Sequence, residues 1–460
     1  MLYRIKIKTF LLLCVAVLLL PSCKKFLDKK QNASAVVPST LSDIQALLDE
    51  DIMIESVSPS YMEASSDEYF LTDDVYSSFS EYGQDMYTWV PFTVTAANSS
   101  NDWHDSYYPV YNANLALDLI KNIDRNSANA AAWDNAKGSA LFYRSYNFLN
   151  LLWDYSKAYD SSTADKDLGI ALRLTSDFNV PSARATVQQS YKQVISDTKA
   201  AIPLLPDYPL ALTRPSKGAA YGLLARCYLS MRDYKDALSY ADSCLQLNNS
   251  LIDFNGDEDI IGSIANDEPF KRLNKETVFY TTMNYEYDIF SYVGNIDTAI
   301  LRSYDSNDLR LIAYFGDNGT GSYFKASYGN DYFMNFTGIA VDEMYLTRAE
   351  CYIRTGQVQK GLDDINTLLS KRYKTGTYVP PTGLSQNDAL TRALLERRKE
   401  LLLRDNRWMD IKRLNKEGAN IILKRIIAGK TYTLQPNANF YALPLPEDII
   451  RTTGMPQNPL

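Results

Sequence analysis

The stretch LARCYLSMRDYKDAL, residues 224–238, has a second copy later in the chain, TRAECYIRTGQVQKGL, residues 347–362. The copies align when Tyr228 is set on Tyr352, and each tyrosine then follows an alanine by three residues. A small residue lets two helices approach, and the large tyrosine fills the space beside them. This pattern is typical of tetratricopeptide repeats, whose helix pairs stack because one pair cannot bury its apolar face alone.

Apolar residues at helical spacing extend this pattern in both directions. Residues 136–156 read as a degenerate third copy, and residues 391–414 are a candidate fourth. We therefore expect helical repeats over about 103–247 and 340–415. Generic helical hairpins, unrelated to tetratricopeptide repeats, stay open as the alternative.

Two other regions lose the helical period. Residues 61–100 are rich in Ser, Tyr and Asp, and residues 250–338 gain Gly, Asn, Asp and Tyr. Such composition predicts loops or short irregular pieces. The fold class expected is therefore mostly α, with helical hairpins packed against a loop-rich part.

The N-terminus carries a short apolar run, residues 10–20, preceded by Arg4, Lys6 and Lys8. A membrane-spanning helix needs about 20 apolar residues, roughly twice this length. A positive start followed by a short apolar core predicts a secretory signal peptide. Residues 20–23, LPSC, look like the lipobox of a bacterial lipoprotein, in which cleavage precedes a cysteine that is then acylated.

We accordingly expect a signal peptide at 1–22, a lipid anchor on Cys23, and a flexible tether over 23–40. Residues 41–460 are expected to form a single domain. Two or more acyl chains hold a protein stably at a membrane without embedding it. An ordinary cleavable signal with an incidental cysteine is the alternative.

The amino-acid composition permits a large folded core and argues against some classes of partner. The chain has 460 residues, of which 46% are apolar, so it can bury a sizeable core. Its net charge of −8 argues against nucleic acid as a partner, since that needs a clustered basic surface. Cys227, Cys244 and Cys351 fall in helical stretches and are expected to be buried apolar residues without disulfides.

Signals for catalysis are weak. His104 is the one histidine in the chain, and Asp105 beside it could make it a general base. No nucleophile motif accompanies the pair. In residues 397–414, Glu400 lies near Arg407 and Asp410, but the apolar spacing there favours buried ion pairs that hold a helix in place.

A metal site is also not expected. The stretch DFNGDEDIIG, residues 253–262, has the Asp and Asn spacing of a calcium loop. It lacks the glutamate that such loops carry at their twelfth position, so a surface turn is the preferred interpretation. No cofactor is expected either.

Four motifs in order resemble one family. The chain is similar to the SusD/RagB family of outer-membrane nutrient-binding lipoproteins in four stretches: SCKKFLD (22–28), TRPSKGAAYGLLARCYL (213–229), RRKELLLRDNRWMDIKRL (397–414) and YALPLPEDIIRTTGMPQNPL (441–460). One departure stands out. Arg404 occupies a position where the family usually has an acidic residue, which could alter a buried ion-pair network.

The resemblance implies a SusD-like fold and a binding role. Such a protein captures oligosaccharides, sometimes peptides, at the cell surface and passes them to a SusC-like TonB-dependent outer-membrane transporter. It performs no reaction. Peptide capture and a tetratricopeptide-type envelope scaffold stay open as alternatives.

Candidate ligand-binding residues are those loop residues that combine aromatic faces for sugar rings with polar groups for hydroxyls. Two stretches, 81–102 and 281–294, have this mixture. They supply Trp89, Tyr82, Tyr87, Asn98, Tyr285, Tyr287 and Tyr292. Trp89 is the leading candidate because it lies in an irregular stretch, with a core position beside Phe92 as the alternative.

Overall fold

Helices are the predominant regular structure in the computed structural model, which describes residues 38–94, 101–284, 293–331 and 334–459. The mostly-α prediction is confirmed. In chain order the α-helices are α1 (Leu41–Leu48), α2 (Tyr61–Ser65), α3 (Asp73–Ser78), α4 (Glu81–Tyr87), α5 (Asp102–Leu119), α6 (Ala130–Tyr155), α7 (Val187–Ala201), α8 (Lys217–Met231), α9 (Tyr234–Leu247), α10 (Thr298–Leu301), α11 (Arg310–Ala313), α12 (Val341–Arg354), α13 (Val358–Ser370), α14 (Gln386–Glu400), α15 (Arg407–Asn415) and α16 (Glu447–Thr453).

The described strands are short and form five antiparallel pairs. They are β1 (Tyr69–Phe70) with β5 (Asn295–Ile296), β2 (Leu168–Ala171) with β3 (Arg184–Thr186), β4 (Thr277–Phe279) with β8 (Ile339–Ala340), β6 (Phe315–Asp317) with β7 (Ser322–Phe324), and β9 (Leu423–Ile427) with β10 (Lys430–Leu434). The β1–β5 pair joins the two regions that the sequence predicted to be loop-rich.

The two clear repeats fold as helical hairpins, α8–α9 and α12–α13. Tyr228 of the first repeat stacks on Tyr240 with ring centroids 5.6 Å apart and planes 3° from parallel. In the second repeat a Cβ on Gly361 would lie 2.6 Å from the carbonyl oxygen of Ala349. The two helices of this hairpin therefore approach closely because residue 361 has no side chain, and the contact lies at Ala349, the small residue that the sequence pattern named.

The third candidate repeat, residues 136–156, falls in one helix, α6, and is not a helix pair, whereas the fourth, residues 391–414, spans the pair α14–α15. The three cysteines, Cys227, Cys244 and Cys351, are buried and unbonded to one another. The region 61–100 differs from the expectation, because three short helices, α2 to α4, lie within its described part. Local capping explains α3, where the Thr72 hydroxyl accepts a hydrogen bond from the Val75 N–H.

A buried ion-pair network joins the helical hairpins to the irregular region. The Glu400 carboxylate, at the end of α14, accepts hydrogen bonds from Arg310 at 2.8 Å and from Arg372 at 2.7 Å. Arg310 belongs to α11, and Arg372 also pairs with Glu276 at 2.9 Å, just before β4. Burial alone would raise the pKa of Glu400, but the two guanidinium groups lower it below its ordinary value. The prediction of structural ion pairs in this helix agrees with these contacts.

The departure at Arg404 is accommodated by a further buried pair. Its guanidinium lies 2.7 Å from the carboxylate of Asp342 in α12 and stacks over the rings of Tyr328 and Phe336. The positive charge is therefore neutralised locally. Arg404 tightens the contact between the α14–α15 connection and the second repeat.

Two buried glutamates shape the α14–α15 connection. Leu403 and Asp405 both have positive φ angles, 52° and 60°. The Leu403 N–H donates to Glu68 at 2.7 Å, and the Asp405 N–H donates to Glu63 at 3.1 Å. Burial raises the pKa of Glu68 well above its ordinary value, and the nearby Glu63 carboxyl raises it further. Folding therefore favours a protonated carboxyl at this turn.

Replacement of Glu400 by Gln is expected to destabilise the fold, because it leaves Arg310 and Arg372 buried with less counter-charge. Breaking a buried pair from one side costs about 3–5 kcal/mol of unfolding free energy, measurable by urea denaturation. A matched control is Glu258→Gln, since that side chain is 81% exposed and lies 3.6 Å from Lys275. Equal losses in the two variants would contradict the structural role of Glu400.

Replacement of Glu68 by Gln is expected to change how stability depends on pH. Because the folded pKa exceeds the unfolded value, the stabilising contribution of the protonated acid is complete below the unfolded pKa. It is lost as the pH rises through the folded pKa. The wild type should lose about 1.4 kcal/mol relative to the variant for each unit of that difference. Urea denaturation between acidic and mildly alkaline pH measures this, and parallel curves would refute it.

Candidate functional site

The first turn of α5 brings the two predicted loop regions together. The buried carboxylate of Asp102 accepts hydrogen bonds from the N–H groups of Ser60 at 2.9 Å and Tyr61 at 2.6 Å. It also accepts one from the Asn284 side chain at 3.2 Å. Asp102 ends the first sequence segment and Asn284 lies in the second. The structure therefore joins the two segments at one buried point beneath the first turn of α5.

A cavity of about 330 Å³ opens beside the same helix. One face of α5 supplies its wall, with residues spaced at helical intervals. The other walls come from the connection between β2 and β3, residues 172–183, which we name the 172–183 loop, and from α16. The lining residues are Trp103, Tyr107, Val110, Tyr111, Asn114, Ala171, Arg173, Thr175, Phe178, Ser182, Ile449, Thr453 and Met455.

Aromatic rings form two parts of this cavity. Trp103 and Tyr107 pack with ring centroids 4.6 Å apart, and the Tyr107 hydroxyl donates to the carbonyl oxygen of Ala171 at 2.8 Å. Tyr111 and Phe178 are stacked, with centroids 4.9 Å apart and planes 26° apart. Phe178 is 79% exposed although it is apolar. The cavity therefore has a flat aromatic rim that solvent reaches.

Hydrogen bonds from α5 hold the 172–183 loop in place. The Asn114 side chain donates to the carbonyl oxygen of Arg173 at 2.8 Å. Asp118 accepts from both the N–H (3.0 Å) and the hydroxyl (2.8 Å) of Ser176. Burial alone would raise the pKa of Asp118, but hydrogen bonds from Lys121 and Ser176 lower it to about 2. The loop is thus bound to the helix by an ionised side chain at neutral pH.

Contacts near the C-terminus hold α16, which forms the third wall of the cavity. Asn458 donates to the carbonyl oxygens of Tyr155 at 2.8 Å and Leu443 at 2.7 Å. Its side-chain oxygen accepts from Arg184 in β3 at 2.8 Å. The closing Gln-Asn-Pro of the sequence therefore fastens the segment that carries α16 to α6 and β3. The cavity depends on these contacts because Ile449 and Thr453 belong to α16.

Two of the predicted ligand residues have buried rings. Trp89 is 7% exposed and Tyr87 is 1% exposed. The Arg425 guanidinium lies over both rings, 4.8 Å and 3.7 Å from their centroids. The Trp89 indole N–H donates to the carbonyl oxygen of Ser65 at 2.9 Å. The expectation of an open Trp89 face must be corrected, since its surroundings match the core alternative, and Phe92 lies in the same core.

The remaining predicted residues fall elsewhere. Tyr82 is half-buried on α4 and packs against the core. Asn98, Tyr285, Tyr287, Tyr292 and the predicted lipidation site Cys23 lie outside the described residues. Ligand binding by these residues stays a prediction, as do the signal peptide and tether.

Sequence reasoning missed the residues of the cavity rim. Tyr111 lies within residues 103–247, for which the sequence predicts only helical repeats, and no sequence pattern indicated Phe178 or Arg173. The signal for Phe178 was present, since a lone Phe stands between Asp177 and Asn179 in a polar stretch. Stretches of this kind seldom bury an aromatic side chain. The contribution of Arg173 needed the three-dimensional arrangement.

The weaker chemical candidates have structural roles. His104 is half-exposed and its Nδ1 lies 2.9 Å from Asp105. In the calcium-like stretch, Asp257 pairs with Lys275 at 2.7 Å, and Asp253 pairs with Lys371 at 3.0 Å. Across the described ranges, no group of three or more His, Cys, Asp or Glu side chains could hold a metal ion.

The described part of the chain contains no candidate membrane-spanning helix. None of its helices combines the length and the apolar character that a bilayer span requires.

The fold and the cavity define a class, a mostly helical protein built on tetratricopeptide-like hairpins. Two family models match in order along the chain. The first, described as SusD-like, starch-binding and associating with the outer membrane, matches residues 25–229. The second, the SusD family itself, matches residues 335–460. The chain belongs to the SusD/RagB family, which confirms the resemblance noted in its motifs.

Solved structures share the fold at low sequence identity. A SusD superfamily protein from Bacteroides thetaiotaomicron VPI-5482 superposes with a TM-score of 0.73 at 20% identity, over 92% of this chain and 100% of that one. A SusD superfamily protein from Bacteroides vulgatus ATCC 8482 gives 0.73 at 19% identity, over 91% and 99%. A SusD-like carbohydrate binding protein from the same strain gives 0.65 at 19%, over 90% and 97%. No curated protein matches the chain.

Proposed function

We propose that the protein is a cell-surface lipoprotein of the outer membrane that binds oligosaccharides non-covalently and delivers them to a SusC-like TonB-dependent transporter. Membership of the SusD/RagB family supports this role, and so do the names of relatives with the same fold. The single observation that carries the proposal is the aromatic and polar cavity beside α5.

The cavity has the chemistry that a sugar ring needs. Aromatic faces pack against the C–H-rich face of a pyranose, while nearby polar groups replace the water around its hydroxyls. Tyr111 and Phe178 supply the faces. Asn114, Thr175 and Ser182 supply hydrogen-bonding groups along the same lining. A volume of about 330 Å³ accommodates one or two sugar units, and the open rim lets a longer chain continue along the surface.

The exposed side of α5 around Tyr108 extends the proposed site. The buried contact of Asp102 with Asn284 joins the two aromatic segments at the start of α5, where the adjacent Trp103 and then Tyr107 line the cavity wall. Tyr108 is 39% exposed there and packs on His104 with centroids 5.9 Å apart. We propose that an oligosaccharide follows α5 from this surface into the cavity.

We also propose that the protein performs no reaction on its ligand. A glycosidase needs two carboxyl groups flanking the scissile bond. The residues that line the cavity include no Asp or Glu. The ligand would therefore be held unchanged and passed on to the transporter.

Replacement of Phe178 by Ala is expected to weaken oligosaccharide binding about three- to tenfold, because it removes one of the two stacked rings. Isothermal titration calorimetry against a panel of oligosaccharides measures the change. Tyr208→Ala is a matched control, since Tyr208 is 67% exposed but lines a different groove. Equal affinities in the Phe178 variant and the wild type would remove this cavity from the site, and binding of peptides but no glycan would refute the sugar proposal.

Replacement of Cys23 by Ser is expected to release the protein from the membrane fraction, because the serine hydroxyl cannot carry the thioether-linked lipid. Acyl chains supply the whole attachment in this proposal. Cell fractionation followed by detection of the protein measures its distribution. A variant as firmly membrane-bound as the wild type would show that another part of the chain anchors it.

A further inference from the structure

The cavity beside α5 contains one charged side chain, Arg173. Its guanidinium donates to the carbonyl oxygen of Asp177 at 2.6 Å, to that of Val180, and to the Ser182 hydroxyl at 3.4 Å. A guanidinium has five N–H donors, so these contacts leave donors for another partner. Arg173 makes no ion pair with a carboxylate of the residues that the structure describes.

The carboxylates near Arg173 form their hydrogen bonds with other residues. The Asp177 side chain accepts hydrogen bonds from the N–H and the side-chain amide of Asn179, both at 2.9 Å. The Asp118 carboxylate binds Ser176 and Lys121. Carbonyl oxygens solvate the Arg173 charge without neutralising it. The pKa of the Asp177 carboxyl is lowered by its hydrogen bonds from Asn179 and, less strongly, by Arg173, so this carboxylate compensates the charge only in part. The cavity wall therefore keeps a positive charge on its polar side.

The positive charge and the aromatic faces line the same space. Trp103 and Tyr107 pack on one side, and the Tyr111–Phe178 stack forms the rim. A neutral sugar would satisfy the rings but would cover a half-buried cation without compensating its charge, which is unfavourable. A sugar with a carboxylate satisfies both, because guanidinium–carboxylate hydrogen bonds are about twice as strong as neutral ones.

We propose that this cavity binds an acidic oligosaccharide, with a uronic acid unit whose carboxylate pairs with Arg173 and whose ring packs on Tyr111 and Phe178. This inference rests on the proposed function, since it names the class of glycan that the same cavity takes. The binding is non-covalent, and no proton or bond is exchanged.

The test compares ligands that differ only in charge. Short oligomers of galacturonate, glucuronate and mannuronate are each titrated into the full-length protein, alongside the methyl ester of the same oligomer. For at least one sugar, the free acid is expected to bind about tenfold more tightly than its ester. This preference should shrink as NaCl rises from about 20 mM to about 500 mM, because salt screens the charge pair.

Two variants locate the effect. Arg173→Gln should abolish the preference for the free acid, while Tyr111→Ala should weaken acid and ester by the same factor. Since Arg173 also holds the 172–183 loop, Arg173→Lys serves as a charge-retaining partner and should keep part of the preference. The wild-type comparison of acid with ester needs no variant and stands if the variants misfold.

The outcomes separate this inference from the proposed function. Equal binding of acids and esters, or binding of neutral oligosaccharides alone, overturns the assignment of an acidic ligand and leaves glycan capture in place. An acid preference that survives Arg173→Gln also overturns it. Absence of binding to every glycan, acidic or neutral, refutes the proposed function itself.

Discussion

The ion pairs of Glu400 with two buried arginines are the contacts on which the architecture depends most. Arg310 comes from the irregular region, Arg372 follows the second repeat hairpin, and Glu400 ends α14. All three side chains are fully buried. A charge in such a place is tolerated only when its partners are fixed, so the network specifies one arrangement of hairpins against loops. Short strands alone could not provide this, since a pair of two-residue strands is only marginally stable.

The same logic operates at the start of α5. Asp102 is buried and its carboxylate is satisfied by backbone N–H groups of the 60–61 segment and by the Asn284 amide. The helix is thereby fixed against both irregular regions at its first turn. Because α5 is one continuous helix, fixing its first turn also fixes the positions of later residues such as Tyr107 and Tyr111. A rigid helix lined by aromatic side chains then presents them at regular intervals, which loops alone would not ensure.

Much of the fold could be predicted from the sequence because it follows from local patterns. The paired alanines and tyrosines of the two repeats specify helical hairpins through size alone, and the structure has both. The short helices of residues 61–87 escaped prediction because single caps such as Thr72, and packing on distant segments, stabilise them. Their apolar period was too short to detect.

The site was harder to predict, for a physical reason. Trp89 looked like an exposed loop residue because its neighbours are irregular, yet it is buried by Arg425, which is more than three hundred residues away in the chain. Conversely, Tyr111 lies in the range 103–247, where the sequence predicts packed helical repeats and no ligand site. Its ring instead meets Phe178 from a loop between two short strands. Burial of a side chain is decided by such remote partners, which periodicity does not encode.

Two arginines without carboxylate partners in the described residues show what distinguishes a structural charge from a binding charge. Arg425 is 4% exposed, donates to the carbonyl oxygens of Tyr87, Ala64 and Ser66, and is covered by aromatic rings. No space remains beside it for a ligand. Arg173 has similar carbonyl contacts but faces a cavity with an aromatic rim. Aromatic rings enclose the charge of Arg425, whereas those at Arg173 leave one side of the guanidinium open to the cavity. A bound ligand can therefore neutralise Arg173 but not Arg425.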